Sequence, residues 1–79
     1  MIDGYKTIPD EKFPKGMNVL INIWFAKWKR IRDPSPEQWD ECLAEAVRIT
    51  EQGEYTVLIS VAQALMTELD ERWRARQQQ

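Results

Sequence analysis

From Met17 to Ile31 the chain reads MNVLINIWFAKWKRI, its most apolar stretch. Simple alternation would put Met17, Val19, Ile21, Ile23 and Phe25 on one face of a strand. At about 100° per residue, Met17, Leu20, Ile21, Trp24, Trp28 and Ile31 instead fall on one broad helical stripe, opposite Asn18, Asn22 and Lys29. No other segment offers a partner strand, and a lone strand leaves its backbone unpaired, so the pattern predicts a helix. Val19, Ile23 and Ala26 make a second apolar strip on it, and Phe25 projects among the asparagines. The predicted helix has more apolar surface than one contact can cover.

The flanking residues set its limits. Residues 1–13, MIDGYKTIPDEKF, carry Gly4, Pro9 and mixed charges without helical periodicity. They read as an extended arm, with Tyr5, Ile8 and Phe13 as candidate anchors. Pro14 suits the first helical position, Gly16 weakens that start, and Asn18 is an alternative cap. At the other end, Asp33-Pro34-Ser35-Pro36 stops the helix. Ser35-Pro36-Glu37-Gln38 then opens the next: Ser35 can accept from the Gln38 amide, Pro36 sits where no donor is missed, and Gln38 can reach back. Trp39, Cys42, Leu43, Ala46, Val47 and Ile49 form the apolar side of this second helix, backed by Asp40, Glu41, Glu45, Arg48 and Glu51. Gly53 suits a left-handed cap after it. Leu58, Ala62, Leu65, Leu69 and Trp73 trace a near-heptad seam for the third helix. Val57, Val61 and Ala64 widen that seam on one flank, Ile59 and Met66 on the other. The terminal Gln77-Gln78-Gln79 should fray.

The expected architecture is all-α: an extended N-terminal arm over 1–13 and one domain over 14–79, with helices at about 15–32, 36–52 and 55–75. Short loops predict an up-down-up three-helix bundle. The second helix offers one buried face, but the first and third offer more. Val19, Ile23 and Phe25 on the first, with Val57 and Val61 on the third, are therefore candidates for a homo-oligomer or partner interface, a dimer being favoured.

Composition narrows the chemistry. In 79 residues there is one cysteine, Cys42, and no histidine. An intramolecular disulfide is excluded and a zinc site has no ligand set, so no metal and no cofactor is expected. A core this small supplies about 3–5 kcal/mol, which again points to a partner chain. One thiol and no signal-peptide pattern predict a cytoplasmic protein, and Lys27 and Lys29 interrupt the only candidate membrane span. Without histidine, base catalysis at neutral pH would require a carboxylate or lysine of shifted pKa. The carboxylates Asp40, Glu41 and Glu45, and Glu68, Asp70 and Glu71, sit mostly on charged faces. Cys42 lies on an apolar one, and no phosphate-binding loop is present. No catalytic residue is expected.

Lys27, Lys29, Arg30 and Arg32 crowd the end of the first predicted helix, and Arg72, Arg74 and Arg76 that of the third. In an up-down-up bundle these seven cations share one pole and could contact nucleic-acid phosphates. Cations also complement helix C-termini, which is the structural explanation and the favoured one. Trp24, Trp28, Trp39 and Trp73 all fall on inner stripes. Trp73, near the end of its helix, is the one expected to be partly exposed and to join the interface.

The order of these parts, IWFAKWKRIRDPSPEQW and then VLISVAQALMTELDER, resembles the short proteins encoded in phages and prophages of Firmicutes. Those share an aromatic and basic first helix, a Pro/Asp turn, a Trp-anchored second helix and a final helix ending in Glu-Leu-Asp/Glu-Arg. The resemblance covers some two thirds of the chain and implies a mobile-element origin with no known activity. The expected function is non-catalytic: a phage accessory factor, or an inhibitor of a host system, that binds itself and a host or phage protein. The alternative is a small nucleic-acid-binding or replication accessory protein that uses the basic pole.

Overall fold

A computed structural model describes residues 4–77, and all regular structure within them is helical. The first helix, α1, runs unbroken over 12–28. It is α-helical over Lys12–Asn18, π-helical over Val19–Phe25 and α-helical again over Ala26–Trp28. The second, α2, spans Pro36–Ile49, and the third, α3, spans Thr56–Gln77.

The wide turn in α1 follows from where its apolar residues stand. Leu20, Trp24 and Trp28 are buried, and Gly16 faces Leu58 one turn earlier. That is a repeat of four. In a helix of 3.6 residues per turn such a repeat drifts by about 40° at each step and leaves the core after three. The i→i+5 pattern puts more than four residues into each turn, so the π segment drifts the other way and offsets the drift of the α-helical flanks. The cost falls on Ile21. The α-helical stripe included it, yet it is 45% exposed, because the π segment aims the four-residue series inward instead.

Around α1 the other two helices are distributed unevenly. Both α2 and α3 pack on its π-helical segment, whereas they touch each other sparsely. Their main link is a T-shaped pair, Trp39 and Trp73, with ring centroids 5.0 Å apart. The indole N–H of buried Trp24 donates to the Cys42 carbonyl at 3.2 Å, fixing α1 against α2. Leu58, Ala62, Leu69 and Trp73 are the buried positions of α3, four of the five seam residues, and Leu65 packs against them half-buried.

The starts and stops are specific. At Ser35 both halves of the capping box form: the Gln38 amide donates to Ser35 Oγ at 3.1 Å, and the Ser35 amide donates to Gln38 Oε1 at 2.9 Å. The end of α2 comes at Ile49, earlier than the 52 expected. Thr50 closes it, its hydroxyl donating to the carbonyls of Ala46 and Val47. Glu51, Gln52 and Gly53 then all have positive φ, at 52°, 58° and 83°. Gly53 is left-handed as expected, but two non-glycine residues share that strained conformation. Helix α1 starts at Lys12, ahead of the 15 expected. Its free amides at Lys12 and Phe13 donate to the Pro9 carbonyl, and Pro14 in the first turn misses no donor.

Of the arm's candidate anchors, only Ile8 is buried; Tyr5 and Phe13 are 44% and 43% exposed. The arm is held instead by its backbone. The Lys6 amide donates to Thr56 Oγ1 at 2.9 Å, and the Thr56 amide donates to the Lys6 carbonyl at 3.3 Å, so the arm satisfies the open start of α3. The fraying expected of Gln78 and Gln79, and the first three residues of the arm, lie outside the described residues.

Candidate functional site

The basic pole is largely consumed by the fold. Lys27 pairs with Glu45 of α2 and lies over the Trp28 ring, 4.9 Å from its centroid. Arg72 pairs with Glu68 at 2.8 Å and covers the Phe25 ring at 5.6 Å. Arg74 pairs with Asp70 at 3.1 Å. Arg76 donates from Nη1 to the Ile31 carbonyl at 3.1 Å and from Nη2 to the Lys29 carbonyl at 3.0 Å. These carbonyls follow the end of α1, where intrahelical donors have run out, so the guanidinium fork caps one helix from another. Lys29 stands over Phe25 at 6.0 Å. Arg30 and Arg32 are exposed, and among the described residues they have no ion-pair partner.

Glu45 is the charged residue that α1 and α2 hold most closely. Its carboxylate accepts from Lys27 Nζ and, at 3.3 Å, from the Trp28 indole. Burial alone would raise its pKa. The two hydrogen bonds and the Lys27 and Arg48 charges outweigh burial and hold the carboxyl below its ordinary range. Among the other acidic residues singled out from the sequence, Asp40, Glu41, Glu68 and Glu71 are exposed and Asp70 half-buried. Cys42 is fully buried, and burial pushes its thiol up to about 12, where it is protonated and unreactive.

Among the interface candidates, Ile23 is 56% exposed; Ile21, on the opposite flank of α1, is 45% exposed. Val19, Phe25, Val57 and Val61 are half-buried, the last three packed against the core. Trp73 departs from expectation. It is only 4% exposed, because its indole donates to the Ile31 carbonyl at 2.8 Å while its ring packs on Trp39. It belongs to the core. Leu43 and Val47, expected on the packed side of α2, are 37% and 53% exposed. The sparse contact between α2 and α3 leaves that flank uncovered.

One concavity lies away from the basic pole and shares only Val19 with the interface candidates. A cavity of about 390 Å³ opens between the start of α1, the end of α2 and the start of α3. Gly16, Val19, Ile49 and Leu58 line it together with three exposed charged residues, Lys12, Lys15 and Glu51. Sequence reasoning placed Val19 and Ile49 on separate helix faces and had no signal that they share a hollow. From the sequence Gly16 only weakened the helix start; the structure sets it against Leu58.

No helix among the described residues is long and apolar enough to cross a membrane. Comparison of the chain with protein-family models, with curated proteins and with solved structures returns no match.

Proposed function

We propose that this is a non-catalytic interaction protein, an up-down-up bundle that self-associates through the exposed side of α1. The observation that carries the reading is Ile23, 56% exposed on the π-helical segment and one turn from half-buried Val19 on the same strip. A large aliphatic side chain kept wet on the helix that organises the core is costly in so small a domain, and a two-fold contact along that strip recovers it. The up-down-up arrangement is supported by contacts at both ends: Lys12 reaches Tyr55 at the start of α3, and Ile31 meets Trp73 near its finish. In the cell it would act in the cytoplasm as a phage or mobile-element accessory factor, or as an inhibitor of a host system.

Sedimentation at micromolar concentration tests the self-association. The parent should run above 9.4 kDa, and Ile23→Glu should bring it to the monomer or unfold it. A parent that is already a clean monomer overturns the reading. A second reading, nucleic-acid binding, rests on Arg30 and Arg32 together with Lys29. An electrophoretic shift that weakens steeply with salt and is lost in the Lys29→Gln, Arg30→Gln, Arg32→Gln variant would put it first.

A further inference from the structure

The cavity between the three helices has the composition of a ligand site, and of its lining residues only Val19 is also an interface candidate. Its volume of about 390 Å³ lies in the ~300–1,000 Å³ range of small-molecule pockets. Its depth depends on Gly16. A Cβ there would stand 2.8 Å from Leu58 Cδ2, so the bare backbone of α1 and the Leu58 side chain meet as its floor. Val19 and Ile49 complete its apolar lining. The rim is different. Lys12 donates to Glu51 and to the Tyr55 hydroxyl, both at 3.3 Å, and is thereby neutralised. Lys15, one turn away, has no ion-pair partner among the described residues. The mouth therefore carries one uncompensated positive charge above an apolar interior. Glu51, which anchors Lys12, is held on the rim by backbone at φ 52°, next to Gln52 at φ 58°. Strained residues of this kind persist where the surroundings over-determine them, and they cluster at ligand clamps.

The geometry points to a binding site for one free medium-chain carboxylate, of the fatty-acid class, with its tail against Val19, Ile49 and Leu58 and its head at Lys15 Nζ. One cation beside one open apolar hollow fits a single monomeric acid. An anionic bilayer would call for a cluster of basic residues or an amphipathic face at the surface.

Isothermal titration of the full chain with hexanoate, octanoate and octan-1-ol tests this directly. Octanoate should bind saturably, one per chain, tightening about fourfold for each methylene added from hexanoate. Lys15→Gln should weaken octanoate by about two- to fivefold, the range of an exposed ion pair, and leave octan-1-ol unchanged. Val19→Phe should abolish binding of both; if circular dichroism shows that variant unfolded, the Lys15 comparison decides. Absence of saturation, parent-like binding by a folded Val19→Phe protein, or equal effects of Lys15→Gln on acid and alcohol would each overturn the proposal. So would binding to phosphatidylglycerol vesicles without binding to free octanoate. The site is separable from self-association. Ile23→Glu should split the assembly and keep the octanoate isotherm.

Discussion

Arg76 offers the sharpest separation between a cation that holds the fold and one that is free to bind. Its fork donates to two carbonyls beyond the end of α1, at 3.1 and 3.0 Å. Hydrogen bonds from charged donors contribute about 1.5–3 kcal/mol where their loss strands a buried partner. Neither acceptor here would be stranded: the Ile31 carbonyl keeps the Trp73 indole at 2.8 Å, and the bond to Lys29 lies at the surface. The desolvation penalty drops out, and Arg76→Gln should cost about 1 kcal/mol. In a domain this small that lowers Tm by roughly 4–8 °C. Arg76→Lys should recover only part, since a point charge cannot span both acceptors. The matched control is the triple change Lys29→Gln, Arg30→Gln and Arg32→Gln, which removes more charge but should stay within ~0.5 kcal/mol per position. Differential scanning calorimetry at fixed concentration reads all three. If Arg76→Gln melts with the parent while the triple variant collapses, the fork is not holding the helix ends together, and Arg76 returns to the list of free cations.

Two further perturbations bear on α2. Ser35→Ala removes the acceptor for the Gln38 amide and should destabilise by about 1 kcal/mol in urea titrations, with Ser35→Asp restoring most of it; equal midpoints for Ser35→Ala and parent would remove the capping argument. Glu45 has a folded pKa below its ordinary value, so its contribution is present above the unfolded pKa of about 4.3 and is lost as pH falls through the lower folded value. Glu45→Gln should therefore show a shallower acid loss of stability than the parent, and superimposable pH profiles would contradict the sign.

How far the chain could be read in advance depended on what kind of information each element carries. The start of α2 was fully legible, because Ser35, Pro36 and Gln38 act on backbone within three residues. The seam of α3 was legible as well, since an uninterrupted 3.6-residue period needs no knowledge of neighbours. Helix α1 was half legible. Its helical nature was clear, but its inner face depends on a repeat of four that only a wide turn satisfies, and the α-helical period misplaced Ile21. Trp73 lay on the legible seam, and only its expected partial exposure was wrong: the Ile31 carbonyl, 42 residues away, takes its indole N–H. The basic pole divided in the same way. Its location at helix ends could be read from the sequence, while the separation of Arg76 from Arg30 required the carbonyls that only the folded turn presents.

The placement of α1 between the other two helices also has a kinetic side. The helix on which both α2 and α3 pack is the first one the ribosome delivers. Each later helix emerges with its docking surface already made, so its apolar face need not wait for a distant segment. Closure of α2 onto α1 spans a short loop and should come early, with α3 and its bond to the arm completing the structure. The chain is thus arranged so that the segment with the most exposed apolar surface has the longest wait for cover. Any slowing of synthesis between α1 and α2 would raise the risk of aggregation at Leu20, Trp24 and Trp28, which the later helices bury.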